Sequence, residues 1–261
     1  MHTEEIRKSL NQACGYSPFV RKALFQLMDW LTLKTWHVRR ELRKWMRSSP
    51  EKAHVLDLGT GFGHNAYWIS CQKELFSVLA IDEKQERIVK GNAFVRETHR
   101  KNLLFRTKKL CEFKEADAFD LIICTDTLEF IKEDCSTIEH MHESLRDEGL
   151  MITTAARQYG SPSEDKKEFN RMGYKMEELK RRFKEAGFTK VKGHYTGGKA
   201  GKLSHSLGIG LPMKALRFSR LFLLLAPIYF LFAIPLVIIL NWLDSHTAHL
   251  NGEGLLILAY K

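Results

Sequence analysis

Residues 55–65 read VLDLGTGFGHN. Asp57 lies near the end of a short apolar run, and Gly59, Gly61 and Gly63 follow at alternate positions. Glycine lets a tight turn adopt φ > 0 and lets backbone approach a ligand with no Cβ between them. A helix that starts there offers free N–H groups to a polar or anionic ligand. Asp82 closes a second apolar run, FSVLAID, about twenty residues on, where a carboxylate can accept hydrogen bonds from ribose hydroxyls. Together these residues describe a site for a cofactor that carries a nucleoside. A lone GxGxG run is a weak signal, and its weight comes from the elements around it.

Those elements alternate. HVLDLG, FSVLAID (76–82), LLFRT (103–107), FDLIICTD (119–126) and GLMITTA (149–155) are short apolar runs separated by helical segments. Such runs predict parallel strands buried on both faces, hence an open α/β sheet. The segment 161–170, SPSEDKKEFN, reads as a surface loop, and 176–188 as a helix ended by Gly187. TKVKGHY and the final GLLILAYK read as two further strands. No internal repeat is visible.

With Asp57, the glycine turn, Asp82 and FDLIICTDTLEFI in place, the chain resembles the class I S-adenosylmethionine-dependent methyltransferases. A nicotinamide site would more often read GxGxxG, and here that last position is His64. The resemblance runs from about Ala53 to Ala155 and more weakly beyond. RMGYKMEELKRRFKEAGF is similar to the segment that leads into the sixth strand in methyltransferases of small or lipophilic acceptors. The resemblance implies a Rossmann-like, mainly parallel seven-stranded sheet with an antiparallel last strand. TKVKGHY and GLLILAYK would be its sixth and seventh strands. It also implies S-adenosylmethionine as cofactor. Gly59, Thr60 and Gly61 would line its methionine and ribose part, and Asp57 would orient its amino group. Asp82 would hold the ribose hydroxyls, and Thr125 and Asp126 would border the methyl group. Many members carry an acid after the third strand, near the adenine. This chain has RTKKL (106–110), so adenine contact would fall to backbone groups or Leu110.

Methyl transfer needs alignment, and a base only where the acceptor must lose a proton. The fourth strand ends in CTDT rather than an NPPY-type run, which points away from amino acceptors on nucleic acid or protein glutamine and towards an oxygen or carbon acceptor, or one that needs no activation. Glu129 and His194 are the candidate catalytic residues, with His140 and His205 as weaker ones; His140 and His142 flank a helix and read as surface residues. The loop TGGKAGKLSHS (196–206) has flexible glycines with Lys199 and Lys202, and is read either as a cradle for an anionic head group or as a linker.

The 261 residues are 44% hydrophobic and carry a formal charge of +10, enough for a sizeable core and suited to an anionic partner. The five scattered cysteines make no CxxC pair, so no zinc site is expected, and their odd number argues against a disulfide framework. A reducing cytoplasm fits, and MHTEEIRKSLNQACGYS has no signal-peptide core.

The apolar content is concentrated. Residues 221–240, LFLLLAPIYFLFAIPLVIIL, contain no charge, and twenty such residues can cross a bilayer. A single crossing would separate GLLILAYK from its sheet. Pro227 and Pro235 are expected to break the run into pieces near ten residues, each able to dip into one leaflet. Lys214, Arg217 and Arg220 precede the run, and Trp242 and Asp244 follow it, flanks that suit a cytoplasmic interface. Residues 3–48 read as helical, with a start signal at Ser17-Pro18 and eight Lys/Arg against two acids between Arg21 and Arg47. With Trp30, Trp36 and Trp45 this helix can lie on a membrane surface or pack on the main domain.

The expected organisation is an N-terminal helical region (1–50) and a methyltransferase domain (51–261) interrupted by a hydrophobic insertion (211–245). The expected activity is methylation of a lipophilic small molecule or lipid at the cytoplasmic membrane surface. Residues 213–243 would make the membrane contact, with the basic N-terminal helix as a second candidate. No nucleic-acid partner is expected. A soluble enzyme with a hydrophobic dimer interface or acceptor pocket, and a membrane-bound binding protein without turnover, are the alternatives.

Overall fold

The computed structural model describes residues 17–158, 171–218 and 222–261. The expectations for residues 3–16, for SPSEDKKEFN and for Arg220 lie outside the described residues.

Two helices open the described chain. Helix α1 (Pro18–Leu31) begins at Ser17, whose Oγ accepts from Phe19 N at 3.2 Å, with Pro18 in the first turn. Helix α2 (Leu33–Ser48) follows. Thr32, extended at φ −95° and ψ 107°, separates them, so the single helical run expected over 3–48 is two helices here. Their basic residues are not all solvated. Arg21 and Arg39 are buried, and Trp45 packs on Phe76 at 5.6 Å. Helix α2 therefore packs on the sheet, and α1 packs beside it through Arg21 and Phe25 on Lys90, Tyr67 and Phe94.

Strands β1 (His54–Leu58), β2 (Ser77–Asp82), β3 (Leu103–Thr107), β4 (Phe119–Thr125), β5 (Leu145–Ala156), β6 (Lys190–Thr196) and β7 (Gly254–Tyr260) form one sheet in the order β3-β2-β1-β4-β5-β7-β6. Strands β1 to β5 are mutually parallel, and β7 runs antiparallel between β5 and β6. The alternation of side chains along buried strands feeds two cores, one on each face. Leu56, Leu58 and Ile122 point into one; Val55, Leu121 and Ile123 point into the other. Helices α3 (His64–Gln72) and α4 (Gln85–Glu97) connect β1, β2 and β3. A 3-10 turn (Leu128–Phe130) and α5 (Asp134–Ser144) follow β4, and α6 (Met176–Glu185) precedes β6. The chain works outward from β1 to β3, then returns to place β4 on β1's other side. The crevice at that reversal is where open α/β sheets bind ligands.

Between β6 and β7 the chain makes a helical insertion. Helix α7 (Lys199–His205), a π-helical turn (Ser206–Gly210) and α8 (Leu211–Phe218) lead to the long α9 (Phe222–His246). The insertion leaves the sheet after Thr196 and re-enters at Gly254, two residues paired with each other. Pro227 and Pro235 do not break α9, contrary to the sequence expectation. Each removes one donor from a 25-residue ladder. The segment 222–240 has no Gly, Asn, Asp or Ser to take up freed backbone groups in a turn, so the ladder continues past both.

One face of α9 is docked. Ala233, Val237, Asn241 and Asp244 are buried. Asn241 donates to the Trp30 carbonyl at 3.0 Å and accepts from Ser204 Oγ at 2.6 Å. Asp244 accepts from Gly198 N and Gly201 N, both at 2.9 Å, and faces His37 Nε2 at 3.0 Å. This corrects the head-group reading of TGGKAGKLSHS. From Lys199 that segment is helix, and the free N–H groups at its start are taken by the chain's own carboxylate.

Candidate active site

The turn after β1 is built by glycine. Gly59, Gly61 and Gly63 take φ of +73°, +59° and +80°. Two are pressed from behind. A Cβ on Gly59 would lie 2.3 Å from Thr127 Cγ2, and one on Gly63 2.4 Å from Phe105 Cζ. Gly61 differs, since a Cβ there would meet nothing within 4 Å. Space opens above Gly61 alone, as it would where a ligand lies against bare backbone. Gly59→Ala is therefore expected to lower the melting temperature more than Gly61→Ala. Gly61→Ala adds about 1–2 kcal/mol of left-handed strain, and its main effect is expected in a calorimetric cofactor titration, where the new methyl group intrudes on the ligand.

A cavity of about 590 Å³ opens over this turn, a size suited to a small-molecule ligand. The glycine turn, the β2 end and the segments after it contribute Gly59, Thr60, Gly61, Asp82, Arg87 and Leu110 to its lining. The two N-terminal helices contribute Met28, Thr32, Lys34 and Val38, and the segment beyond β4 contributes Asp126 and Phe130.

Asp82 is buried at the end of β2 and its carboxylate is already engaged. Oδ2 accepts from Gly61 N and from Arg87 Nη1, both at 3.0 Å, and Oδ1 accepts from Lys84 N at 2.9 Å. Asp57 lies beneath the turn rather than on the cavity wall. Its Oδ2 accepts from Thr60 Oγ1 at 2.6 Å and Ala66 N at 3.2 Å. Its Oδ1 is buried without a hydrogen-bond partner among the described residues. Burial pushes the Asp57 carboxyl up to about 6, against the opposing pull of those two donors and of nearby Arg39. Leu110 lines the cavity, with its N–H donated to Glu83 Oε1 at 2.9 Å.

Thr125 and Asp126 both line the cavity. Thr125 Oγ1 accepts from Asn65 Nδ2 at 3.1 Å. Asn65 in turn accepts from Arg39 at 3.0 Å, and Arg39 lies 3.4 Å from Asp29 and stacks 4.2 Å above Trp68. Burial lowers Arg39 to about 10, still protonated at neutral pH. His64 Nε2 is 2.9 Å from Asp29, and burial holds this histidine below its ordinary value. This network ties α1 and α2 to the cofactor turn.

The two candidate bases do not join the cavity. Glu129 is 4% exposed and turned inward, with Oε1 accepting from Ala156 N at 2.5 Å. Burial pushes its carboxyl up. It braces β5 from the 3-10 turn. His194 sits on β6, the outer strand, where Lys190, Lys192 and His194 take the exposed positions. The charged groups that act on it are Glu41, Lys44, Arg40 and Lys192. His140 bonds the Cys111 carbonyl at 2.9 Å, His142 meets Phe188 edge-on at 5.0 Å, and His205 is exposed on α7. Among the described residues no cluster of His, Cys, Asp and Glu could hold a metal. Lys34, His64, Asn65 and Phe130 line the cavity without having been singled out from sequence. His64 and Asn65 directly follow the glycine run, which is a usable signal; Lys34 and Phe130 carried none.

A methyltransferase-domain family model matches residues 35–192, more than half of the chain. The chain belongs to the class I S-adenosylmethionine-dependent methyltransferases. The seven-stranded sheet with its antiparallel β7 is the fold of that family. The fold is shared with Haemonchus contortus phosphoethanolamine N-methyltransferase 2, solved with S-adenosylmethionine, at TM-score 0.59 and 16% identity over 85% of this chain. This chain spans only 52% of that protein. A putative sarcosine dimethylglycine methyltransferase from Galdieria sulphuraria aligns at TM-score 0.58 and 14% identity, over 92% of this chain and 86% of that one. A S-adenosylmethionine-dependent methyltransferase from Aquifex aeolicus aligns at 0.51 and 18%, over 69% and 93%. Comparison with curated protein sequences gave no match.

Proposed function

We propose that this methyltransferase acts on an oxygen or carbon of a lipophilic acceptor at the cytoplasmic face of a membrane. The observation that carries this reading is the uncovered face of α9. Leu224, Leu225, Ile228, Leu231, Phe232, Leu236 and Ile239 are each at least 45% exposed. Contiguous apolar surface of this extent on a monomer marks a contact with a partner or with lipid. α9 is also the one described helix long and apolar enough to cross a membrane.

The geometry favours insertion into one leaflet over crossing. Both ends of the insertion join neighbouring strands of the same sheet, so a single crossing would tear β7 from β5 and β6. The stretch of α9 before its fully buried Val237 is about 15 residues, roughly 22 Å, short of the roughly 30 Å hydrocarbon core. Trp30 and Trp242 are partly exposed beside the docked end, placements suited to an interface. Met28 and Phe130 give the acceptor side of the cavity an apolar rim.

On the cofactor side, Asp82 would receive the ribose hydroxyls by sharing or exchanging its bond with Arg87. The cofactor's ammonium would lie on the Asp57 side of the turn and favour its charged form. Gly61 would pass beneath the ligand. The cofactor supplies an electrophilic methyl group, and the residues on the opposite wall orient the acceptor.

The test is labelling of a membrane extract by the full-length protein with tritiated S-adenosylmethionine. Label is expected in the organic phase, in a lipid heavier by one CH₂ in mass spectrometry. Label confined to water-soluble products would exclude a lipophilic acceptor and leave the soluble small-molecule enzyme.

A further inference from the structure

The acceptor side of the cavity contains one ion pair with an unusual setting. Lys34 Nζ, reaching in from α2, donates to Asp126 Oδ1 at 2.8 Å. Thr154 Oγ1 donates to the same oxygen at 3.1 Å, and Asp126 N donates to the Thr154 carbonyl at 3.0 Å. Asp126 adopts φ +49°, a left-handed conformation that non-glycine residues enter at a cost and that concentrates at functional sites. Both side chains stay accessible, 36% for Lys34 and 46% for Asp126. The pair is fixed in direction and still open to a ligand.

We propose that Lys34 and Asp126 are the acceptor-positioning pair, and that they read a neutral hydroxyl on a conjugated or aromatic ring of an amphipathic acceptor. The proposal rests on the lipophilic reading above and names the acceptor's reactive group. The pair is neutral overall and offers a donor and an acceptor 2.8 Å apart, which complements a group that is itself both. A carboxylate or phosphate head would be set against Asp126. An ammonium would be set against Lys34 and has no lone pair to attack with. A ring hydroxyl, with an acidity near that of tyrosine at about 10, shares its proton with a carboxylate far more readily than an aliphatic alcohol does. Met28, Val38 and Phe130 take the ring and its tail.

The step then balances. The acceptor oxygen forms its bond to the methyl carbon as that carbon's bond to sulfur breaks, with the bonding pair passing to sulfur. The hydroxyl proton leaves along the hydrogen bond to Asp126. Lys34 stabilises negative charge as it grows on the oxygen.

The experiment uses the full-length protein in detergent micelles with tritiated S-adenosylmethionine and three probes: 4-nonylphenol, palmitic acid and dodecylamine. Label is expected on the phenol alone. Asp126→Asn keeps a residue that tolerates the left-handed conformation and can still accept from Thr154. It is expected to lower kcat about a hundredfold, to leave the cofactor Kd within about twofold, and to regain activity as rising pH ionises the phenol itself. Lys34→Gln is expected to raise KM for the phenol, with Lys34→Arg restoring most of it. Label on palmitic acid or dodecylamine, or on none of the three while the cofactor binds normally, overturns the proposal. So does an Asp126→Asn variant with an unchanged pH profile or a lost cofactor site. Unsubstituted phenol serves as a fourth probe, and equal rates on it and on 4-nonylphenol would leave the pair standing and remove the lipophilic reading instead.

Discussion

Replacing Asp82 by Asn is expected to weaken S-adenosylmethionine binding by about ten- to a hundredfold in a calorimetric titration. Hydrogen bonds to a charged group contribute about 1.5–3 kcal/mol, and each 1.4 kcal/mol is about tenfold in Kd. Asp82 is where the proposal places the ribose hydroxyls, and nothing else on that wall is an acid at the end of a strand. The substitution preserves shape but turns one oxygen into a donor. Oδ1 can still take Lys84 N, whereas the amide now faces two donors, Gly61 N and Arg87. The variant therefore loses the ligand's partner and loosens the turn that carries Gly61. The two effects separate by measurement. A change in melting temperature of a few degrees with a large change in Kd supports the ribose role. An unchanged Kd removes Asp82 from the cofactor site, and a collapse of the melting transition makes it a structural residue of the turn.

The sheet was legible because its strands announce themselves. Strands buried on both faces must be apolar at successive positions, and Val55, Leu56, Leu121, Ile122 and Ile123 are. The glycine turn and Asp82 were legible because their chemistry lies within a short span. What failed depended on distance in the sequence or on which way a side chain turns. Glu129 follows β4 as a base might, but a three-residue 3-10 turn rotates it under β5. His194 reads as near the acceptor, yet β6 is an edge strand and sends every second residue to solvent. The break at Thr32 has no glycine or proline to mark it, and it brings Met28, Thr32 and Lys34 to the cavity. The Lys34 partner, Asp126, is 92 residues away, so the pair exists only in the fold. Asp244 likewise reads as a flank of the apolar run. Folded, it is the buried carboxylate that holds α9 to the catalytic domain.

The largest effect on localisation is expected from four substitutions that leave that joint alone: Leu224→Gln, Ile228→Gln, Leu231→Gln and Phe232→Gln. Spaced at i, i+4, i+7 and i+8, they form one stripe of the helix, and their exposures are 74%, 61%, 69% and 72%. The docked stripe of Ala233, Val237, Asn241 and Asp244 is untouched, so folding and cofactor binding should persist. Full transfer of such a side chain from water contributes about 1.5–3 kcal/mol, and four together about 6–12 kcal/mol. Even the lower figure is more than a thousandfold in partitioning. The wild type is expected to sediment with vesicles of phosphatidylcholine and phosphatidylglycerol, and the variant to stay in the supernatant with its cofactor Kd unchanged. A variant that still sediments transfers the anchoring role to α1, whose Phe19, Leu27 and Trp30 are also exposed. A wild type that ignores vesicles but dissociates from dimer to monomer on the same substitutions assigns the stripe to a second copy of the chain. The stripe has to be covered by something, and the copy number in solution decides which.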